Sequence, residues 1–147
     1  AWTAVALTGD AVALGAALDT LPSRVAAGTR LDLALAAAAA AVTADGASGD
    51  AARADVVVLL TDGLPSGASA DDVRRAAASV RAGGIRIHTV GVGAPGEIDA
   101  ALLADVASDH ALYVYAPDAE DLRRIYAGIA AAIRCPPGRH AWWDGGP

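Results

Sequence analysis

The sequence predicts an α/β fold with a doubly wound, mostly parallel sheet flanked by helices. The first observation is the run of branched apolar residues at 56–60, which is typical of a strand buried on both faces. The second is the alternation of strand signals with helical patterns, which indicates βαβ units. The length of 147 residues favours a single domain.

Two helices are predicted before this strand, at residues 10–21 and 29–44, because apolar residues recur in each at helical spacing. The apolar stripes are Leu14, Leu18 and Leu21 in the first helix and Leu31, Leu35, Ala38 and Val42 in the second. The second helix opens with Thr29-Arg30-Leu31-Asp32, which has the form of a capping box with Asp in place of Glu. A polar loop at 45–55 then leads into the strand.

The second half of the chain repeats the alternation. Ser69 and the acidic residues after it predict a helix that starts near residue 70 and stops at Gly83-Gly84. The remaining predicted elements are a strand at 85–92, a helix at 98–108, a short strand at 112–115 and a helix from 117 to about 134 with Leu122, Ile125, Tyr126, Ile129 and Ile133 as its stripe. Residues 135–147 are rich in Gly and Pro and predict an irregular tail, which contains Trp142-Trp143.

Charge and composition exclude several classes of function. The chain carries 11 basic and 17 acidic residues, a net charge of −6, which argues against nucleic acid and offers no basic patch for an anionic lipid surface. The longest apolar stretch, residues 33–42, is mostly alanine and is too short to insert into a membrane. Cys135 is the single cysteine, so it is either a free thiol or the partner of a cysteine outside this chain.

Asp62 is the first candidate functional residue, because ligands of open α/β sheets bind beyond the carboxyl ends of the strands. A simpler interpretation is that Asp62 only forms a turn before Gly63. Thr29 likewise has a simpler interpretation as a helix N-cap. His88 falls within a strand, and we expect a structural role for it.

At this point the sequence resembles the von Willebrand factor type A domain, a module of integrins and of many bacterial surface proteins. The matching segments occur in the order of that family and cover about residues 7–134: Leu7-Thr8-Gly9-Asp10, Gly28-Thr29-Arg30-Leu31, Val57 through Gly63, Ile85 through Gly93, Leu102 through Ser108, and Tyr113-Val114-Tyr115. The resemblance implies a partial domain at 1–134 followed by the tail. It also implies that the first strand and its Asp-x-Ser-x-Ser metal loop are absent, since no such motif occurs.

The resemblance further implies a metal-ion-dependent adhesion site (MIDAS) at the top of the sheet. Thr29 would be the metal ligand on the second loop and Asp62 the ligand on the third, with Mg²⁺ (or Mn²⁺ or Ca²⁺) as the ion. Because two protein ligands leave most of the coordination shell to water, we expect weak metal binding by this chain. An acidic residue of a partner protein would complete the shell, which is recognition and not catalysis.

Three functions remain open at this stage. The leading one is an adhesion or protein-binding module, extracellular or at the cell surface. The alternative is the same domain in an intracellular chelatase or ATPase-associated assembly. A nucleotide-dependent enzyme is a remote third: Gly91 through Gly96 fits a dinucleotide loop loosely, but Pro95 and the lack of a suitably spaced acidic residue argue against it. No nucleophile elbow and no phosphate-binding lysine occur, so we expect no enzymatic activity.

A missing first strand would also affect stability. In the family, that strand lies beside the one at 56–60, so its loss would expose an apolar edge with unpaired backbone groups. We therefore expect marginal stability or self-association through this edge.

Overall fold

The computed structural model describes residues 3–21, 28–46, 55–94 and 96–133. The predicted tail at 135–147, with Cys135 and both tail tryptophans, lies outside the described residues, as does most of the predicted loop at 45–55. The elements are α1 (Ala11–Thr20), α2 (Leu31–Gly46), β1 (Val56–Thr61), α3 (Ala70–Ala82), β2 (Arg86–Val92), α4 (Ala100–Val106), β3 (Tyr113–Ala116) and α5 (Ala119–Ala132), with a 3₁₀ turn at His110–Leu112.

The three strands form one parallel sheet in the order β1-β2-β3. The register pairs Val56 with Arg86 and Thr61 with Gly91 across β1 and β2, and Thr89 with Tyr113 across β2 and β3. Helices α3 and α4 are the crossover connections, as the alternation of patterns predicted. Because all strands run the same way, their carboxyl ends meet at one edge of the sheet.

One face of the sheet packs against α2, α3 and α4. Alternate residues of the strands, such as Val57, Leu59 and Ile87, point into this layer, as the two-residue period of a strand requires. The buried core of the layer consists of Leu31, Leu35, Val42, Val57, Leu59, Val73, Ala77, Val80, Ile85, Ile87, Leu102, Leu103 and Val106. Burial of these side chains is the main force that holds the helices to the sheet.

The other face is covered by α5, so the predicted doubly wound α/β fold is confirmed. Val90, Ala116 and Ile129 form the centre of this second layer, with Val58 and Ile125 packed at its margin. The prediction that β1 is buried on both faces is wrong at its end, because Leu60 is 43% exposed. The reason is position: α5 packs chiefly on β3, and β1 is the edge strand farthest from it among the described strands.

The apolar stripe of α1 is also exposed. Asp10 caps this helix by accepting hydrogen bonds from the Val12 and Ala13 N–H groups. Yet Leu14 is 46% and Leu18 is 55% exposed, and no residue of α1 is buried. Helical spacing therefore predicted the helix correctly, but this face lies against none of the described core.

Helix starts were predicted with mixed success. The capping box at Thr29 is wrong, since α2 begins at Leu31 and its first bond runs from the Ala34 N–H to the Arg30 carbonyl. The capping box of α3 is present, with Ser69 and Asp72 bonded to each other's backbone N–H groups. Helix α4 is shorter than the predicted 98–108 because Asp99 caps its start and the backbone of Ala107 leaves the helical conformation at its end. In α5 the predicted apolar stripe is not buried along its whole length, because Tyr126 is 42% exposed.

No helix within the described ranges has both the length and the apolar character that crossing a bilayer requires.

His88 gives a first testable prediction. It pairs with Val58 across the sheet, on the face that α5 covers, and is 6% exposed. Burial, and secondarily the charge of Arg86, lowers its pKa. A histidine in the unfolded chain takes up a proton near pH 6.5, which the folded state resists. The free energy of unfolding should therefore fall as the pH drops below about 6.5 and be insensitive to His88 above it.

Urea unfolding at several pH values, compared for the wild-type chain and His88→Leu, measures this effect. The variant should lose the part of the slope below about pH 6.5 that His88 causes. His110→Gln, at an exposed histidine of the 3₁₀ turn, is the control. Equal slopes in wild type and His88→Leu would contradict the assignment.

Candidate functional site

The carboxyl edge of the sheet brings together two loops that follow neighbouring strands. Asp62 and Gly63 come directly after β1, and Gly93 follows β2, whose register places it alongside. The Asp62 side chain is exposed and makes no hydrogen bond or ion pair with any residue that the structure describes. Its carboxylate is therefore available to a ligand.

Thr61 fixes the turn that carries Asp62. Thr61 is the last residue of β1 and is 6% exposed. The Thr61 hydroxyl accepts from the Gly63 N–H at 3.3 Å and donates to the Gly63 carbonyl at 3.1 Å. Both bonds span the position of Asp62, so the chain turns at a defined point beyond the strand.

Thr29 is held against the loop that contains Asp62. The Thr29 N–H donates to Ser66 Oγ at 2.6 Å, and the Ser66 N–H donates to the Thr29 carbonyl at 2.9 Å. The Thr29 hydroxyl oxygen lies 3.8 Å from the point that a Cβ on Gly63 would occupy. The structure thus brings Thr29 next to the turn at Asp62, although the two residues are far apart in the sequence.

The loop after β2 also lies against the turn at Asp62. A Cβ on Gly93 would lie 3.9 Å from the Asp62 carbonyl oxygen and 3.0 Å from Glu97 Oε2. The Tyr115 hydroxyl donates to the Gly93 carbonyl at 2.6 Å, and Glu97 Oε2 accepts from the Ala94 N–H at 2.7 Å. Gly93 has φ of +125°, which favours glycine at this close approach.

The glycine pattern from Gly91 onwards has a packing explanation. Gly91 lies within β2, and a Cβ there would come within 2.5 Å of Ile98 Cδ1 and 3.1 Å of Leu103 Cδ1. The missing side chain therefore lets the segment around α4 pack directly on the strand. Helix α4 begins at Ala100, some distance after the glycines, whereas a dinucleotide loop opens directly into its helix.

Arg30 and Asp32 form a two-point ion pair beside Thr29. Arg30 donates from Nε to Asp32 Oδ1 at 2.9 Å and from Nη2 to Oδ2 at 2.7 Å. The hydrogen bonds from Arg30 lower the pKa of Asp32 to about 2, so the pair is ionised at neutral pH. Gly67, with φ of +72°, leaves room for the arginine, whose Cδ would be 3.1 Å from a Cβ there.

The donor set at this edge fits a hard cation in part. A hydroxyl and a carboxylate are oxygen ligands of the kind that Mg²⁺ and Mn²⁺ accept. However, the described residues contain no group of three or more His, Cys, Asp or Glu side chains that could hold a metal ion. Thr29 and Asp62 would supply two ligands, and waters or a partner's oxygen atoms would supply the others.

Sequence reasoning missed Ser66, Thr61 and Arg30. A motif search rejects the Ser66–Ser69 cluster because its spacing does not match Asp-x-Ser-x-Ser, and that rejection says nothing about hydrogen bonding. The contact between Ser66 and Thr29 joins residues 37 positions apart, and no local signal in the sequence indicates it. Thr61 had a weak signal, because a threonine before Asp-Gly often closes a turn through its hydroxyl.

Replacing Ser66 with alanine tests whether this contact positions Thr29. The variant leaves the Thr29 N–H without its side-chain acceptor, and we expect metal affinity to fall by about three- to tenfold, the value of one neutral hydrogen bond. Melting curves at increasing Mg²⁺ measure the affinity. Ser79→Ala, an exposed serine of α3, is the control and should leave the affinity unchanged. An unchanged affinity in Ser66→Ala would show that the contact is dispensable.

Comparison with known proteins gives a family and a set of similar folds. The profile of the von Willebrand factor type A domain matches residues 6–128. No protein of curated function matches the chain. The pilus adhesin SpaC of Lactobacillus rhamnosus GG matches with a TM-score of 0.71 at 17% identity, over 85% of this chain and 21% of that chain.

Two further solved structures share the fold. Proximal thread matrix protein 1 of the mussel byssus, solved with a zinc-occupied MIDAS motif, has a TM-score of 0.59 at 19% identity, over 82% of this chain and 28% of that one. Manganese-loaded TRAP of Plasmodium vivax has a TM-score of 0.53 at 16% identity, over 78% of this chain and 44% of that chain. The chain therefore spans less than half the length of each solved chain, and at these identities the likeness shows the fold alone.

Proposed function

Because this chain belongs to the von Willebrand factor type A family, we propose that it is a protein-binding module that holds a divalent cation at Thr29 and Asp62 and engages an acidic group of a partner. The family match covers most of the chain, and the matched folds include a pilus adhesin and a byssus matrix protein. An adhesion or protein-binding module is the function that these findings support.

The observation that carries this proposal is the joining of two loops at the carboxyl edge of the sheet. Ser66 bonds the Thr29 segment to the loop of Asp62, and the Asp62 carboxylate is left without a partner among the described residues. The Thr29 hydroxyl lies against the turn that carries this carboxylate, and both groups offer oxygen ligands of the kind that a hard cation takes. The cation would in turn attract a carboxylate of the partner to an open coordination position.

Binding is expected to be weak in this chain. Mg²⁺ takes six oxygen ligands, and Thr29 and Asp62 supply two of them. Thr29 also lies two residues before the start of α2, whose N-terminal end carries a partial positive charge that opposes a cation. Mg²⁺, Mn²⁺ and Ca²⁺ all remain candidates, and the identity of the ion is part of the proposal.

We assign no catalytic role to the site. The proposed site consists of Asp62, Thr29 and Ser66, and none of these is a histidine or a lysine that would act as a base for a nucleophilic hydroxyl. The cation would therefore serve recognition. This agrees with the family, whose members are generally modules of adhesion or protein interaction.

We propose further that the protein is located at the cell surface or outside the cell. Two proteins of similar fold are named as a pilus adhesin and as a matrix protein of the mussel byssus. The same domain in an intracellular chelatase or ATPase-associated assembly is the alternative. Two further expectations stay predictions. One is a domain at 1–134 with a separate tail at 135–147, and the other is self-association through the edge of β1.

Thermal unfolding with and without millimolar Mg²⁺ or Mn²⁺ tests the proposal. At a metal concentration tenfold above Kd, a ligand of the folded state adds about 1.4 kcal/mol, which raises the Tm of a domain of this size by a few degrees. NaCl at matched ionic strength should not reproduce the rise, and EDTA should reverse it. A cooperative transition that no divalent cation shifts would overturn the metal-binding proposal.

A further inference from the structure

Arg30 follows Thr29 directly in the chain, and its Cδ lies 3.1 Å from the point that a Cβ on Gly67 would occupy, next to the Ser66 that bonds to Thr29. We propose that Arg30 is a second anchor for the partner, which therefore presents two acidic groups: one at the cation and a neighbouring one at the Arg30 guanidinium. This inference rests on the proposed function and specifies the chemistry of the partner. It is carried by the way in which the arginine is held.

The arginine is fixed at one edge and available at the other. A guanidinium has five N–H donors, and Asp32 takes one from Nε and one from Nη2. Among the described residues, no side chain or carbonyl accepts from the other three donors, on Nη1 and Nη2, and this second edge has the spacing that a carboxylate accepts at two points. The Asp32 contact holds the long side chain in one conformation, which reduces the entropy lost when a partner binds.

The ion pair presents its positive end to solvent. The Arg30 side chain is 44% exposed, whereas that of Asp32 is 16% exposed. A partner that approaches the site therefore meets the guanidinium before the carboxylate. The Arg30–Asp32 pair carries no net charge, so the guanidinium attracts an acidic group of the partner only at short range.

A nearby carboxylate does not take the free edge. The hydrogen bonds to Asp32, and to a lesser extent the charge of Asp72, raise the pKa of Arg30. The Asp72 oxygens, however, accept from the backbone and hydroxyl of Ser69 and from Arg75 Nη2. Asp72 is thus held by its own helix, and the free edge of Arg30 keeps its capacity for an external acid.

The test uses three blocked pentapeptides as probes, with the sequences Gly-Glu-Gly-Gly-Gly, Gly-Glu-Glu-Gly-Gly and Gly-Glu-Gly-Glu-Gly. Each is titrated into the full chain saturated with Mg²⁺ and followed by NMR chemical shifts. We expect the tighter of the two-glutamate peptides to bind up to about fivefold more tightly than the one-glutamate peptide, the gain of one exposed ion pair. Arg30→Gln should remove this preference and keep the affinity for the one-glutamate peptide.

Arg124→Gln is the matched control, because Arg124 also pairs with an aspartate of its own helix, α5, and is exposed. It should keep the preference for two glutamates. Equal affinities for all three peptides on a chain that binds Mg²⁺ would overturn the role of Arg30 and leave the proposed function standing. Loss of Mg²⁺ binding in Arg30→Gln would also overturn it, since the residue would then support the metal loop. Failure of the wild-type chain to bind Mg²⁺ would overturn both proposals.

Discussion

Replacement of Asp62 by asparagine is expected to abolish the rise in Tm that Mg²⁺ or Mn²⁺ produces. Asp62 is the single carboxylate that we assign to the cation, and a neutral amide of the same shape is a much poorer ligand for a hard ion. In the absence of metal the variant should unfold within about 0.5 kcal/mol of the wild type, because the exposed side chain has no partner to lose within the described residues. Melting curves over a metal titration measure both effects.

Asp109→Asn is the control for a general effect of charge. Asp109 is exposed and lies before β3, at the opposite edge of the sheet. Asparagine keeps an oxygen that accepts from the Ala111 N–H, so only the charge changes. This variant should respond to metal as the wild type does. An equal response in Asp62→Asn would show that the cation binds elsewhere, and the assignment of Asp62 would be wrong.

Replacement of Leu35 by alanine is expected to cause the largest loss of stability. Leu35 is 0% exposed in α2, the helix that packs on α3 and β1, and belongs to the larger of the two cores. Truncation of a buried leucine removes apolar contacts and leaves a cavity, at a cost of about 2–5 kcal/mol. Because the total stability of a domain is only about 5–15 kcal/mol, this change should greatly lower the denaturant midpoint.

Leu33→Ala in the same helix provides the comparison. Leu33 is 40% exposed, and alanine is at least as good a helix former as leucine, so we expect a loss of no more than about 1 kcal/mol. Guanidinium unfolding of the three proteins gives the midpoints and slopes. Similar losses for the two variants would show that α2 does not pack on the sheet as described.

The sequence predicted those features that depend on neighbouring residues. The strand at β1 and the helices α3 and α5 follow from runs, periodicities and caps, such as Ser69 with Asp72, that act within one turn or one strand. The order of these elements also predicted a parallel sheet, since each crossover carries its own helix. Asp62 could be singled out because it lies just beyond the carboxyl end of the predicted strand.

Burial was predicted less well than secondary structure. Leu18 and Leu60 have the patterns of buried residues, yet both are largely exposed. A periodicity shows which residues share a face, but it does not show what lies against that face. The predicted capping box at the start of α2 is wrong for a related reason. The backbone of Thr29 pairs with Ser66, which lies in another loop, and the Asp32 side chain bonds to Arg30.

The sequence by itself thus determined the α/β class, the element order, the family resemblance and the two candidate ligands. Only the tertiary structure decided that Ser66 joins the loops of Thr29 and Asp62, that Thr61 fixes the turn between strand and loop, and that the side chain of Arg30 packs against Gly67. The physical reason is the separation along the chain of the residues that interact. Helices, strands and caps form from interactions between near neighbours in the chain, whereas the site is assembled from hydrogen bonds and contacts between residues that only the packed sheet brings together.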